Sequence, residues 1–442
     1  MRRYLIIISL AICPAAYAQD KGVLTFSEAV KIALENNVLL KTQQNEQYVN
    51  QAQKNAAKAS LGPTVSAFAQ GWRVQGNQFI EQEARVVNNA ETQNFFGSVD
   101  GNITIFNGLN RINTIRQANA NLEAQQHFVH RTRQDVITNV SNQYLRCLLD
   151  MELLTIAEQD LETQKTQLQQ ITGFVEAGTR AKVDEYSQIA LLKSSELVAF
   201  RADVTLRNDK TLLSQTLLIE PETIYELSEP GWELSLNRFE DYDLNELFET
   251  ALQNRGDFLR AKKSELAAKR GVAIAFSASI PRLTGYGSIN SRYSDASLPS
   301  LESQLDDNLR KEYGVRLNIP IFTGLQNRQA NVRAKVTHDN AKLNSENVRI
   351  QVKTDVLNAY RGYKDALTNY DVTQAQLEAA EISFDLEKER YELGNSDLVL
   401  YTQATQRLTR ARGDFAQAKY TVLFQDILLN YAIGTLKFED IP

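Results

Sequence analysis

Residues 102–111, NITIFNGLNR, return 216 positions later as residues 318–327, NIPIFTGLQN. A chain that writes one strand-to-helix phrase twice is built from two copies of one unit, each needing the same joint. The offset of 216 also pairs EAGT (176–179) with ELGN (392–395). Upstream, SEAVKIALENN (27–37) matches LNELFETALQNR (244–255) at an offset of 218, which Pro63 and Pro281 share. A two-residue length change therefore falls between Pro63 and Phe106, and the doubling covers about 24–220 and 242–436.

Within each copy the apolar pattern changes period. A helical stretch (about 27–60, again 243–279) runs to a proline. Alternation follows. Phe95, Val99, Ile103 and Ile105 oppose Ser98, Asp100, Asn102 and Thr104; Tyr313, Val315, Leu317, Ile319 and Ile321 oppose Gly314, Arg316 and Asn318. That is the pattern of strands with one apolar and one polar face. Strands are expected at about 64–75, 94–106, 282–293 and 312–322, with polar loops at roughly 76–93 and 295–309. Pro320 cannot donate to a ladder, so it belongs near a strand end.

After Gly108 and Gly324 the period is helical. No proline interrupts 110–172. Leu122, Val129 and Val136 are spaced by seven; after a step of four, Val140, Cys147, Leu154, Leu161 and Leu168 resume the spacing. The second copy has Val336, Leu343, Ile350 and Leu357, then one residue off Val356, Tyr363, Tyr370, Leu377, Phe384 and Tyr391. This is a coiled-coil seam with a stutter. A helix of about 63 residues is about 95 Å long, more than a globular domain of this size needs. Each excursion turns at a glycine, 178 or 394, and returns.

The N-terminus, MRRYLIIISLAICPAAYAQD, reads as a secretory signal peptide over 1–18, with two arginines, a short apolar run and Ala16-Tyr17-Ala18 as a small-x-small cleavage site. A rival reading is lipidation at Cys13 after Leu-Ala-Ile; Ile12 fits poorly before a lipidated cysteine. Losing Arg2 and Arg3 takes the net charge from −6 to −8, and with no dense Lys/Arg block the composition argues against nucleic acid. Cys147 is then the one remaining cysteine, placed among leucines as a small buried side chain. Beyond the leader no run of 18 apolar residues exists, so any membrane crossing must use strands. Catalytic motifs are missing: no phosphate loop, no nucleophile elbow, and His127 and His130 have no third ligand nearby. No enzyme, cofactor or metal site is expected.

Four two-faced strands cannot close a barrel, and an open sheet edge cannot face lipid. Three chains together would supply twelve strands. On the doubled IFxGL joints, the openings ALENN and ALQNR, the glycine-turned tips and the closing LLNYAIGTL (428–436), the chain resembles the TolC-type outer-membrane efflux and secretion channels. The resemblance covers about 24–436. It implies a mainly α chain with a membrane β part: a homotrimer sharing a twelve-stranded β-barrel and a long α-helical coiled-coil barrel. It also implies an exit duct in the outer membrane of a Gram-negative bacterium, with a long periplasmic part. Its partners would be outer-membrane lipid, a periplasmic adaptor (membrane fusion) protein and an inner-membrane transporter of an efflux pump or type I secretion system. The alternative is a soluble periplasmic coiled-coil adaptor or structural protein, which would keep the heptads but has no use for duplicated two-faced strands.

The resemblance assigns adaptor docking to Gly178-Thr179 and Gly394-Asn395, although glycine also ends helices in left-handed geometry without further purpose. The family narrows its tunnel with acidic residues six and nine positions after the second glycine. Leu400 and Gln403 stand there instead, and Ser396 replaces an arginine two after it. Tyr391 and Asp184 match the family; Arg180 and Asp397 depart from it. The expectation is a latch in which Arg180 pairs with Asp397 or Asp184 of a neighbouring coil, against the plain reading of exposed charges near a loop.

Overall fold

The computed structural model describes residues 22–80, 84–221, 225–229, 243–297 and 299–438. The signal peptide expected at 1–18, and Cys13 within it, lie outside the described residues. The chain divides into two units, one from 1–40, 133–247 and 356–442, the other from 41–132 and 248–355. The duplication is exact in the lengths of these helices, though not of the strands. Helices α1 (Phe26–Asn36) and α5 (Leu244–Asn254) have 11 residues each, and α2 (Val38–Ala59) and α6 (Gly256–Ser277) have 22. The long helices α3 (Asn110–Glu176) and α8 (Gln326–Glu392) have 67, and the returning helices α4 (Lys182–Leu217) and α9 (Leu398–Ile433) have 36.

The second unit holds the sheet. Strands β2 (Thr64–Ile80), β3 (Arg85–Phe106), β5 (Arg282–Ser294) and β6 (Arg310–Asn318) pair antiparallel in that order. One copy gives β2–β3, the other β5–β6. Three expectations fail here. The polar stretch 76–93 is mostly strand, with Gln75 opposite Glu91 and an Arg73–Glu91 ion pair of 2.6 Å across the ladder. Where no face is continuously apolar, the alternation that betrays a strand disappears, while the backbone ladder still forms. The stretch 295–309 contains helix α7 (Leu301–Asp307), capped by Ser300 and held by buried Gln304, which accepts from the Ser294 amide and donates to the carbonyls of Ser294 and Pro299. The strand expected to reach 322 stops at Asn318, the partner of Arg282, because Pro320 has no N–H to continue the ladder.

The repeated phrase is a turn. Gly108 and Leu109 have φ of 63° and 64°, and Gly324 and Leu325 have 58° and 64°. Two consecutive residues in the left-handed region reverse the strand into the helix. The first tolerates only glycine cheaply; the leucine is held there at a cost of about 1–2 kcal/mol. The following amides reach back alike: Asn113 N–H to Leu109 C=O at 3.0 Å, Gln329 N–H to Leu325 C=O at 2.9 Å.

In the same unit α6 starts hard against α3. Gly256 lies where a Cβ would come 2.3 Å from the His127 carbonyl oxygen. The preceding residue, Arg255, is 2% exposed and bridges Asp257 (2.5 Å) and Asp355 (2.9 Å).

Among its described residues the first unit is helical apart from connecting turns and β1 (Gly22–Leu24) and β4 (Tyr225–Leu227), a parallel pair of three-residue strands. Sequence periodicity missed both, since three residues carry no period. The Tyr144 hydroxyl lies between the carbonyls of Leu24 (2.9 Å) and Ser228 (2.7 Å), and Phe26 packs on its ring at 5.2 Å. Helix α1 enters through a capping box in which Thr25 and Glu28 satisfy each other's amides, and it buries Phe26, Ala29, Val30 and Ala33. The seam holds at Val136, Val140 and Cys147, all buried. Further along α3 it shifts. Asp150, Ala157, Gln164 and Ile171 are buried at intervals of seven, while Leu154, Leu161 and Leu168 stay half-buried. Burial pushes the Cys147 thiol up to about 12, so it is an inert packing group.

Asp150 is the ionisable carboxyl group on that seam. Burial, then a shared hydrogen bond with and the charge of Asp209, push its carboxyl up to about 7, with Arg146 opposing. Arg146 is committed to Asp209 at 2.7 Å, and Asp150 Oδ2 has no hydrogen-bond partner among the described residues. The protonated carboxyl is therefore the form this packing accepts. An acid whose pKa is raised on folding carries no penalty below its unfolded value. The penalty grows as pH rises from about 4 and is complete above about 7. Asp150→Asn should lie within about 1 kcal/mol of the native protein at pH 4.5 and exceed it by about 4 kcal/mol at pH 8. Melting in detergent at both pH values checks this; equal shifts at the two would refute the buried proton.

Candidate functional site

Two places carry the sequence-derived functional residues, one in each unit. In the first unit these are the turns that end α3 and α8. Gly178 (φ 73°) and Gly394 (φ 75°) are left-handed caps. Thr179 N–H reaches the Phe174 carbonyl at 2.9 Å and Asn395 N–H the Arg390 carbonyl at 2.8 Å, the six-residue closure that ends a helix on glycine. The Thr179 hydroxyl adds a second bond to the Phe174 carbonyl. Gly178, Thr179, Gly394 and Asn395 are all exposed.

Asp397 caps α9, its Oδ1 accepting from the Leu400 amide at 2.9 Å. Ser396 donates to Glu387. Arg180 lies 4.0 Å from Asp184 Oδ2 within the same chain, and its guanidinium sits 5.9 Å from the centroid of the Tyr391 ring. Tyr391 stacks on Tyr401 at 4.9 Å with planes 7° apart, and Tyr401 on Phe384 at 5.9 Å. Burial pushes the Tyr391 hydroxyl above its ordinary range, with Arg180 opposing. The structure thus brings Arg180, Asp184 and Tyr391 together, gives Asp397 to a helix cap and leaves Gln403 exposed. Sequence reasoning missed Tyr401, the centre of the stack. The only signal was an aromatic a few residues into each helix flanking one turn.

In the second unit the site is the sheet itself. The register puts Ser66, Ser98, Asp100, Asn102, Ser288 and Glu312 on one face and Val65, Val99, Ile103, Ile289, Tyr313 and Val315 on the other. The polar face is knit by hydroxyls: Ser98 and Ser288 each donate to Asp100 at 2.7 Å. The apolar face is exposed: Val65 is 71% and Val315 69% accessible. A sheet with an uncovered apolar face and a hydrated polar one is a wall between lipid and water. No helix among the described residues is long and apolar enough to cross a membrane.

These features define an outer-membrane channel subunit, with strands for the bilayer and long paired helices outside it. A model of the outer membrane efflux protein family matches residues 29–212 and 247–435, and the chain belongs to that family. It is a channel protein of the Gram-negative outer membrane and not an enzyme, which removes the adaptor alternative. The chain is 25% identical over 331 residues to outer membrane protein TolC of Vibrio cholerae, covering 70% of each. It is 24% identical over 336 residues to the pyoverdine export outer membrane protein OpmQ of Pseudomonas aeruginosa, covering 72% of this chain and 65% of OpmQ. Its fold matches the Campylobacter jejuni CmeC outer membrane channel with a TM-score of 0.80 at 21% identity, over 93% of this chain and 85% of CmeC. The open-state MtrE channel of Neisseria gonorrhoeae matches with 0.75 at 19% identity, over 93% and 91%.

Proposed function

We propose that this chain is one third of a homotrimeric exit duct, passively conducting substrates that an inner-membrane transporter delivers through a periplasmic adaptor. The observation that carries the reading is the four-stranded sheet with two faces and two unpaired edges, β2 and β6. Three copies joined edge to edge would make a closed twelve-stranded barrel, its apolar face to lipid. Helix α8 supports the same reading: Val336, Leu343 and Ile350 are spaced by seven and are 51%, 69% and 59% exposed, a seam without its partner helix. The exposed turns at Gly178-Thr179 and Gly394-Asn395 are proposed as adaptor docking points. Arg180, resting on Tyr391 as well as on Asp184, is proposed as the latch of the closed tunnel, with Asp397 and Gln403 as further candidates for its constriction.

The test is reconstitution of the purified mature protein in planar bilayers, with its mass measured in detergent. Discrete conductance steps from a trimer are expected. Arg180→Ala should raise single-channel conductance about two-fold or more by freeing the tips. A monomer that stays soluble without detergent and gives no steps would overturn the duct, and unchanged conductance in the variant would overturn the latch alone.

A further inference from the structure

The polar face of the sheet is not neutral. Over its regular ladder, below the irregularity between Gly76 and Gln78, it carries Arg282, Arg292, Arg310 and Arg316 against two carboxylates, Asp100 and Glu312. Side-chain positions confirm the face. Arg282 donates to Thr104 Oγ1 at 3.2 Å, and the Arg316 guanidinium lies 5.0 Å from the centroid of the Tyr286 ring. Both carboxylates are engaged: Asp100 accepts from Ser98 and Ser288, and Glu312 lies 3.5 Å from Arg310. Arg282, Arg292 and Arg316 are exposed and, among the described residues, have no carboxylate within 4.0 Å. The charges of the opposite face, Arg73, Glu91 and Lys311, do not compensate them there.

We propose that this face is an anion-favouring lining, so that the duct conducts anions in preference to cations and suits cargo bearing carboxylate or phosphate groups. The inference rests on the duct reading above, which turns the face into the inner wall of a pore. Four arginines and two carboxylates per chain leave a net charge of about +6 around a trimer. A barrel of about twelve strands is wider than the side-chain-filled eight-stranded kind and narrower than the sixteen-stranded porins. Its axis therefore lies within roughly one screening length of the wall at about 0.15 M salt. At that range a ring of unpaired guanidinium groups concentrates anions and excludes cations. Leu400 and Gln403 supply no carboxylates at the positions where the family narrows its tunnel.

The deciding measurement is the reversal potential of single channels of the full mature trimer under a tenfold KCl gradient at low salt. Chloride permeability should exceed that of potassium about three-fold or more, falling towards unity near 1 M salt as screening shortens. The triple variant Arg282→Gln, Arg292→Gln, Arg316→Gln should lose the preference, with trimer assembly confirmed by heat-modifiable migration. Arg73→Gln with Lys311→Gln, on the opposite face, should leave it intact. Discrete channels that prefer potassium, or a triple variant with an unshifted reversal potential, would overturn the anion lining while the duct stands. A trimer that never conducts would overturn both.

Discussion

Gly256→Ala is expected to leave little folded protein. The added Cβ would lie 2.3 Å from the His127 carbonyl oxygen, 3.0 Å from Arg131 Cβ and 3.2 Å from the Arg131 amide nitrogen. These are mainly backbone atoms of α3, whose carbonyls are bonded into a continuous 67-residue helix and cannot yield singly. Gly256 has no positive φ, so the cost is one of packing and not of conformation. We expect a loss of about 3 kcal/mol or more, seen as a drop in the yield of folded protein and in melting temperature. Gly173→Ala is the contrast. It lies within the same helix with nothing within 4 Å of its Cβ position, and should stabilise by about 0.5–1 kcal/mol. A Gly256→Ala protein that melts like the native one would show that α6 does not approach α3 this closely.

Arg255→Ala is the second large effect. Its guanidinium is buried between Asp257 and Asp355, with Nε 3.0 Å from Asp257 Oδ1 and Nη2 bonded to both residues. Burial pushes the Asp257 carboxyl up, but the Arg255 hydrogen bond and charge, with Arg131 adding to them, hold it below the ordinary range. Removing the arginine leaves two half-buried carboxylates without the buried cation between them, a loss of about 2–3 kcal/mol at pH 7. The pH dependence then changes sign. In the native protein the depressed Asp257 contributes stability above its unfolded pKa and loses it as pH falls. In the variant acid relieves the repulsion, so the gap narrows below about pH 5. Adding Asp257→Asn and Asp355→Asn should recover most of the loss at pH 7. A variant within about 1 kcal/mol of native at pH 7 would show the triad to be dispensable.

The duplication made most of this fold readable. Because α3 and α8, α4 and α9, α1 and α5 repeat residue for residue, offsets of 216 and 218 located every long helix before any packing was known. What stayed hidden had no periodic signal. The strand halves on either side of 81–83 carry apolar residues in adjacent pairs, Phe79-Ile80 and Val86-Val87, without alternation; β1 and β4 are three residues each; and Asp150 is a buried acid off the apolar seam that the heptads marked. The tips show the same division. The glycines announce the turns, since a left-handed cap needs them. Tyr401 joins Tyr391 only once α8 and α9 lie side by side.

The bare edges of the sheet also set an order of events. Strand β2 offers 17 residues of backbone on one side and β6 offers 9 on the other. In water those groups are solvated at no cost, whereas in hydrocarbon each unpaired one costs several kcal/mol. A lone protomer is therefore barred from the bilayer by its own backbone. In the trimer proposed above all three seams must close together, since a partial ring still has two edges. Insertion then follows assembly, its rate climbs steeply with protomer concentration, and the membrane admits only finished pores.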